Sequence, residues 1–443
     1  MRNDDLLKRS LQAVWHPCTQ MKSHEHLPLV PIARGEGVWL YDFDGKPYLD
    51  AVSSWWVNLF GHNNPRIKNA IKQQLDQLEH VILAGFTHEP VVQLSERLAE
   101  LTGLGHCFYA SDGASATEIA LKMSFHYWRN SNLNQKTQFI SLQNSYHGET
   151  LGALSVTDVA IFKDIYAPLL RQSAQMPSPD SRLAEAGESA EAFALRCADA
   201  LETYVAAHHP QLAAFIVEPL IQCAAGMGMY HPIYLQRARE ICKQYQIHLI
   251  ADEIAVGFGR TGTLFACEQA GITPDFMCLS KGITGGYLPL SVVLTTDEIY
   301  QAFYHNDIAR GFLHSHSYTG NALACSAALA TLEIFVDDDV IASNRSQAAR
   351  MNALLAPVIA HASVRNFRHL GMVWAFEVAN GNPHFAQDFY KAALAHGLLL
   401  RPIGNTVYLM PPYVIKAEEM AELAAGVLAL LDECGVSIAP LLD

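Results

Sequence analysis

Short apolar runs alternate with helical patterns over residues 65–335, and this alternation restricts the possible folds more than any other feature. The apolar runs are HCFYA, QFISLQ, AAFIVEP, IHLIADEI, DFMCLS and LSVVLTT. Strands separated by helices form a mostly parallel sheet that is covered by helices, so the pattern predicts an α/β fold. A helix is predicted in NNPRIKNAIKQQLDQLEHV, where a packed face would be formed by Ile67, Ile71, Leu75 and Leu78.

The two ends of the chain follow a different pattern. The stretch GVWLYDFDGKPYLDAVSS predicts a hairpin that turns at Asp44 and Gly45. Near the other end, MVWAFEVANG and TVYLMPPYVI predict strands, and KAEEMAELAAGVLALLDEC predicts an amphipathic helix. We therefore predict a smaller α+β domain built from residues 1–62 and 336–443, beside a large domain of residues 63–335.

Composition argues against several classes of partner. A net charge of −14 with no basic run disfavours nucleic acid and anionic membranes, which leaves small molecules as partners. The first residues lack the apolar core of a signal peptide, and Glu218 and Pro219 interrupt the longest apolar stretch, so no membrane span is expected. The nine cysteines are scattered, so we expect no metal site, no disulfide framework and a reduced, cytoplasmic protein.

A lysine and an aspartate end two of the predicted strands. Lys281 follows FMCLS and precedes a glycine-rich turn, and Asp252 ends IHLIAD. Ligands of open α/β sheets bind outside the carboxyl ends of the strands, so both side chains can face one pocket. Lys281 is either a surface lysine or an amine that forms an imine with a carbonyl group, which requires a neutral nitrogen.

Two further stretches suggest ligand contacts on the same side of the sheet. In YASDGASATEIALKM a strand leads into a helix start at Gly113, which can bind a phosphate. A plain capping box of Ser115 and Glu118 is the alternative explanation, and the two are compatible. Tyr146 follows the strand QFISLQ and either packs in the core or covers a flat ligand.

The stretch GFGRTG raises a competing interpretation. Gly257, Gly259 and Gly262 match the dinucleotide fingerprint, which requires an acidic residue at the end of the following strand. Asp275 instead precedes the next apolar run, which favours a glycine-rich loop. A nicotinamide-dependent dehydrogenase and a non-catalytic binding protein remain as rival classes.

Taken together, these groups match one cofactor. Pyridoxal phosphate has a phosphate, a flat ring, a pyridine nitrogen that must stay protonated, and an aldehyde that condenses with lysine. Each group has a counterpart in the sequence: the helix start for the phosphate, Tyr146 for the ring, Asp252 for the pyridine nitrogen and Lys281 for the aldehyde. We therefore predict a pyridoxal 5'-phosphate enzyme.

The run from LIADEIAVGFGRTG through PDFMCLSKGITGG resembles the signature of class III pyridoxal-phosphate aminotransferases, and the whole chain is similar to that family. The resemblance implies a fold type I enzyme in which Lys281 bonds covalently to the cofactor. It also implies that Asp252 pairs with the pyridine nitrogen, that Tyr146 covers the ring, and that the N–H groups of Gly113 and Ala114 bind the phosphate.

The same resemblance implies a homodimer. His316 and Ser317 in HSHSYTGN match positions that complete the phosphate site from the other subunit, and Ser315 matches a substrate contact. Cys18 stands where a tyrosine of the family often contacts substrate, so that hydroxyl contact is in question.

Three more residues are candidates for binding substrate. Trp55 and Trp56 can wall a slot for a long aliphatic chain, or they are two core tryptophans. Arg401 can hold a carboxylate through its planar guanidinium, or it is an exposed, salt-bridged arginine.

Within the family, the chain most resembles members that act in biotin synthesis. This narrower resemblance rests on five stretches: WHPCTQM, AVSSWWVNLFGHNNP, YHGETLGALSV, MYHP and RPIGNTVYLMPPY. These imply S-adenosylmethionine as amino donor, 8-amino-7-oxononanoate as acceptor, and ping-pong kinetics. Enzymes that use ornithine or 4-aminobutyrate usually carry a glutamate where this chain has Ala224, which argues against those donors. The nearest alternative is an ω-amino acid or diamine aminotransferase that uses pyruvate.

Overall fold

The structure is a computed structural model that describes residues 3–379 and 382–434. The chain forms two compact units. The larger unit is Arg66–Ile341, and the smaller one comprises the described residues up to Pro65 and from Ala342 onward. The domain limits at 62/63 and 335/336 stay a prediction.

The strands, in chain order, are β1 (Ile32–Glu36), β2 (Trp39–Asp42), β3 (Pro47–Asp50), β4 (His106–Ala110), β5 (Gln138–Leu142), β6 (Ala174–Met176), β7 (Leu212–Val217), β8 (Ile221–Gln222), β9 (Gly228–Met229), β10 (His248–Asp252), β11 (Phe276–Leu279), β12 (Ser291–Thr295), β13 (Val364–Leu370), β14 (Val373–Val378), β15 (Leu398–Leu399) and β16 (Thr406–Leu409).

The helices are α1 (Asn3–Ala13), α2 (Ser53–Trp56, a single turn), α3 (Pro65–Leu75), α4 (Glu89–Thr102), α5 (Gly113–Asn130), α6 (Leu151–Val156), α7 (Ala160–Lys163), α8 (Ala190–His208), α9 (Ile233–Gln244), α10 (Asp297–Gln301), α11 (Ala322–Asp337), α12 (Val340–Leu354), α13 (Ala356–Ile359), α14 (Phe385–Ala395) and α15 (Ala417–Cys434). None of these described helices is long and apolar enough to cross a membrane.

The larger unit is built on a seven-stranded sheet in the order β4-β12-β11-β10-β7-β5-β6. Strand β10 runs parallel to β7 and β11, β5 runs parallel to β7 and β6, and β12 is antiparallel to both of its neighbours. Helix α5 packs on this sheet through Ile119 and Ala120. The predicted α/β fold with a mostly parallel, helix-covered sheet is therefore confirmed, and all six predicted strands are present.

Helix α3 corrects one detail of the predicted packing. Ile67 is fully buried, but Leu75 is 57% exposed and does not belong to the buried face. Gln74 is buried in its place, and its side-chain amide donates a hydrogen bond to the Leu78 carbonyl (2.8 Å). The apolar spacing therefore located the helix but not the whole of its buried face.

The smaller unit contains two sheets. In the first, β1, β2 and β3 are antiparallel and β15 joins β3 in parallel. The hairpin turns as predicted, because Gly45 adopts a φ of 87° and the Asp42 carboxylate accepts the N–H groups of Asp44 and Lys46. The second sheet has the antiparallel order β13-β14-β16.

Candidate active site

Four neighbouring strands of the large sheet end in titratable side chains. Lys281 follows β11, Asp252 ends β10, Glu218 follows β7, and His147 lies in the turn after β5. These strands are adjacent in the sheet and parallel, so their carboxyl ends share one edge. We call Lys281, Asp252, Glu218 and His147 the sheet-edge cluster.

Asp252 and His147 form the closest pair of this cluster. Asp252 is 4% exposed, and its Oδ2 lies 2.7 Å from Nδ1 of the buried His147 ring. Oδ1 accepts the N–H of Ile254 at 3.2 Å. A carboxylate offers about four acceptor sites, so Asp252 can accept one further donor, such as a protonated ring nitrogen. His147 Nε2 is buried and has no hydrogen-bond partner among the described residues.

Lys281 occupies a strained position at the strand end. Its φ of 44° lies in the left-handed region, which a side chain other than glycine enters at a cost. Burial lowers the pKa of its amine, while the neighbouring Cys223, Asp252 and Glu218 act in the opposite direction. The lowered pKa favours the neutral amine that a nucleophile requires.

Glu218 is a member of the cluster that the sequence reasoning missed. The side chain is buried, Oε2 accepts the Tyr146 N–H at 3.0 Å, and Oε1 accepts the Cys223 N–H at 3.1 Å. Burial raises the pKa of this carboxyl group to about 7. Its signal was present in AAFIVEP, where Glu218 follows a strand as Lys281 follows another.

The start of α5 is capped differently from the prediction. The N-cap is Asp112, whose carboxylate accepts the Ser115 N–H at 2.9 Å and the Ser115 hydroxyl at 2.8 Å. The predicted capping box of Ser115 and Glu118 is therefore wrong. Glu118 instead accepts the Thr150 hydroxyl at 2.6 Å and the Gly152 N–H at 2.7 Å.

Two close approaches surround the first turn of this helix. A Cβ on Gly113 would lie 3.1 Å from the Ile254 side chain, two residues beyond Asp252. Gly148 has a φ of 117°, and a Cβ there would lie 2.6 Å from that of Ala114. Gly113 lets the helix start lie against Ile254, and Gly148 lets it lie against the turn that carries His147. The first N–H groups of a helix have no partner within the helix, so this end suits a phosphate.

Tyr146 lies in the turn before Gly148 and is half-buried. Its hydroxyl donates a hydrogen bond to Glu149 at 2.8 Å, and its ring contacts Phe162 edge-on with centroids 5.4 Å apart. The backbone bond to Glu218 fixes the turn at the sheet edge. Packing and ring-covering roles are therefore both compatible with its position.

The loop that carries Ser315, His316 and Ser317 reaches the helix start of its own chain. His316 Nε2 lies 3.0 Å from the Ser111 hydroxyl. Ser315 and Ser317 are exposed, and the Ser317 carbonyl lies 2.8 Å from Nε2 of His80.

In the smaller unit, three predicted substrate residues lie together. Trp55 is 45% exposed, and the Arg401 guanidinium lies 5.0 Å from the centroid of its ring. Arg401 also donates a hydrogen bond to the Cys18 carbonyl at 3.4 Å. Trp56 is only 5% exposed and donates to the Tyr408 hydroxyl at 3.1 Å, so this half of the predicted pair lies in the core.

The two tryptophans lie on a left-handed turn, α2. Ser53, Ser54, Trp55 and Trp56 have φ values of 50°, 46°, 73° and 71°. The fully buried Asp50 stabilises the turn, since its carboxylate accepts the Ser54 N–H at 2.9 Å and the Ser54 hydroxyl at 2.6 Å. No signal in the sequence indicated this turn.

The glycine-rich stretch GFGRTG lacks the context of a dinucleotide site. Residues 257–262 form turns, and the next element is a short 3₁₀ helix, Ala266–Ala270, rather than an α-helix with a long dipole. A Cβ on Gly257 would lie 2.8 Å from the Glu253 carbonyl oxygen, so this glycine serves backbone packing. The dehydrogenase interpretation loses its structural basis.

Comparison with known proteins identifies the family. Residues 20–430 match the model described as Aminotransferase class-III. The chain belongs to the class-III aminotransferases. Pyridoxal 5'-phosphate is the cofactor of these transaminases. A buried carboxylate, an amine with a lowered pKa and a helix start at one sheet edge fit that cofactor's ring nitrogen, aldehyde and phosphate.

Individual relatives extend over nearly the full length. The adenosylmethionine-8-amino-7-oxononanoate aminotransferase of Helicobacter pylori is 48% identical over 97% of this chain and 98% of its own. The crystal structure of the enzyme of that name from Methanocaldococcus jannaschii has a TM-score of 0.92 and 35% identity, covering 98% and 99% of the two chains. A PLP-bound amine transaminase from an uncultivated Pseudomonas species has a TM-score of 0.89 and 32% identity, covering 96% and 99%.

Proposed function

We propose that this chain transfers the amino group of S-adenosylmethionine to 8-amino-7-oxononanoate, giving 7,8-diaminononanoate for biotin synthesis. The observation that carries the proposal is the full-length similarity to the Helicobacter pylori enzyme named for this reaction. The cofactor, when bound, stores the amino group between the two half-reactions. The enzyme therefore follows ping-pong kinetics, in which the first product leaves before the second substrate binds.

Lys281 and Asp252 perform the central roles in this proposal. The Lys281 amine, whose pKa is lowered, holds the cofactor covalently and, once released, moves a proton at the reacting carbon. Asp252 keeps the proton on the ring nitrogen, because a buried carboxylate stabilises a cationic donor. His147, at 2.7 Å, fixes the orientation of that carboxylate.

Gly113, Ala114 and Tyr146 position the cofactor. The N–H groups of Gly113 and Ala114 bind its phosphate at the positive end of α5, an 18-residue helix. Tyr146 covers the ring, and its backbone bond to Glu218 holds it at the sheet edge.

Trp55 and Arg401 bind the substrates. A sulfonium beside the exposed Trp55 face gains about 0.5–2 kcal/mol by cation–π attraction. The planar guanidinium of Arg401 forms a bidentate pair with the distal carboxylate of the keto substrate. Cys18 holds Arg401 through its backbone carbonyl and lacks the hydroxyl of the tyrosine that family members often carry at this position. Ser315 offers an exposed hydroxyl as a further substrate contact. Trp56 acts indirectly, as the buried anchor of the turn that presents Trp55.

The proposal includes a homodimer. Two paired loops present exposed apolar side chains: Ile82, Phe86, Leu313 and Tyr318 are 56%, 63%, 70% and 62% exposed. Large exposed apolar side chains clustered on loops are typical of protein–protein contacts. His316 and Ser317 lie within this surface and complete the phosphate site of the second subunit. All nine cysteines are free, which accords with a cytoplasmic protein.

Mixed dimers test the contribution of Ser317. In a dimer of one K281A and one S317A subunit, a contribution from the opposite subunit leaves one fully intact site and half of the wild-type activity. Activity no higher than that of the S317A homodimer would show that Ser317 serves its own chain.

A single-turnover experiment tests the reaction. S-Adenosylmethionine should bleach the visible band of the bound cofactor faster than ornithine or 4-aminobutyrate at equal concentration. The reason is that Ala224 replaces the glutamate that shields or releases an active-site arginine in enzymes that use those two donors. 8-Amino-7-oxononanoate, rather than pyruvate, should then restore the band. The opposite order of donors and acceptors would identify an ω-amino acid or diamine aminotransferase, the class suggested by the similarity to the amine transaminase.

A further inference from the structure

The proposed reaction uses Glu218 only to hold the backbone of Tyr146 and gives the charge of its carboxyl group no role. Its two oxygen atoms bind two different segments: Oε2 the N–H of Tyr146 and Oε1 the N–H of Cys223. The first segment carries the ring-covering tyrosine, and the second begins the turn that contains Ala224. One carboxyl group therefore fixes two sides of the candidate cofactor site.

The groups that face Glu218 include Lys281 and Asp252, the two charged residues of the proposed mechanism. Lys281, Asp252, His147 and Cys223 all interact with it electrostatically, and the side chain is 5% exposed. Little water is available to screen these interactions. A change of charge on Glu218 therefore changes how readily the Lys281 nitrogen binds a proton.

We propose that Glu218 is a positioning residue: its carboxyl group holds the backbone of Tyr146 and of Cys223, and its negative charge favours the protonated form of the nitrogen on Lys281. This inference rests on the proposed function of Lys281. Burial, which raises the pKa of Glu218 to about 7, makes its charge responsive near neutral pH.

Glu253 offers a matched control. It is fully buried, and its carboxylate also accepts two backbone N–H groups, from Ala266 at 2.9 Å and from Cys267 at 2.7 Å. Burial also raises its pKa to about 7, but the charged neighbour that acts on it is Glu268. E218Q and E253Q therefore remove equivalent carboxyl groups, of which only Glu218 acts on Lys281.

The test titrates the visible band of the bound cofactor with pH, in the absence of any amino donor, in wild type, E218Q, E218D and E253Q. We expect the midpoint of E218Q to fall by about one pH unit, because an anion near a cation favours the charged form. E218D should return toward wild type, and E253Q should titrate like wild type despite a similar loss of thermal stability. The visible circular dichroism of the cofactor should change in E218Q only, since Tyr146 is released.

An unchanged midpoint in E218Q, or an equal shift in E253Q, overturns the inference. Should E218Q fail to fold, infrared difference spectra of E253Q decide. A carboxyl group that is ionised over the pH range in which the cofactor band titrates supports the role of Glu218, and a protonated carboxyl band that persists through that range refutes it. If the pH titrations give the expected midpoints but the wild-type enzyme does not react with S-adenosylmethionine, only the proposed substrates are rejected.

Discussion

Replacing Asp50 by alanine is expected to release the left-handed turn α2 and the exposed Trp55 that it presents. Asp50 is fully buried, and its carboxylate accepts the N–H and hydroxyl of Ser54 and lies 3.0 Å from Nε2 of His62. Without these contacts, the unfavourable backbone conformation of the turn loses three hydrogen bonds to a buried carboxylate. The segment should then relax to ordinary dihedral angles.

The size of the effect follows from two estimates of the same order. A left-handed residue costs roughly 1–2 kcal/mol, so a turn of four such residues stores roughly 4–8 kcal/mol. Hydrogen bonds to a charged group contribute roughly 1.5–3 kcal/mol each, and Asp50 forms three of 3.0 Å or less. Removing one partner of a buried charged contact costs about 3–5 kcal/mol, which is the destabilisation expected for D50A.

The assay is urea unfolding of three variants, followed by tryptophan fluorescence. S54A loses one hydroxyl bond and should lose about 1–2 kcal/mol. S54G lacks the same hydroxyl, yet it should be more stable than S54A by about 1 kcal/mol, because glycine adopts the φ of 46° without a steric cost. D50A should also raise the KM for the keto substrate while leaving the cofactor spectrum unchanged. A D50A variant as stable as S54A, or an S54G variant less stable than S54A, would refute the reasoning.

Four further substitutions test other parts of the structure. K281A should abolish transamination and leave no borohydride-reducible adduct, and a retained adduct would exclude this lysine. D252N should lower single-turnover rates by about 100-fold, since a charge-assisted bond is lost where charge develops; near-normal turnover with bound cofactor would contradict this. R401A should weaken the 8-amino-7-oxononanoate half-reaction by at least about 10-fold, whereas R34A, which removes another arginine over an aromatic ring, should not. Burial lowers the pKa of His248 from 6.5 to about 3, so below about pH 6.5 the unfolded chain binds a proton that the folded chain does not. The free energy of unfolding should therefore fall as the pH drops below about 6.5, and H248Q should abolish this loss in acid unfolding curves.

The large sheet could be predicted from the sequence because each of its strands is a short apolar run with a clear end. The same property located Asp252 and Lys281, since residues that follow parallel strands share one edge of the sheet. In the register of β10 and β11, Asp252 lies opposite Cys278, three residues before Lys281. Local sequence therefore contained enough information for the centre of the site.

The smaller unit was harder to predict in detail because its decisive contacts are distant in sequence. The left-handed turn depends on Asp50, on His62, and on the Met410 carbonyl, which accepts the Ser53 hydroxyl at 2.7 Å. Two adjacent tryptophans give no indication of which ring is buried. Trp56 lies in the core and Trp55 at the surface, on a left-handed backbone that local sequence does not indicate.

Glu218 and His147 were missed although the rule that located Asp252 applies equally to them. Both follow apolar strands that lie next to β10 or one strand farther on, so the sheet order brings them to the same edge. Neither residue is a counterpart of a cofactor group, because both contact protein atoms: Glu218 binds two backbone N–H groups and His147 binds Asp252. A buried titratable residue at a strand end must be neutralised or paired. At this edge, Glu218 binds the turn that carries Tyr146 and His147 binds Asp252, so each of the two missed residues holds in place a residue that carries the chemistry.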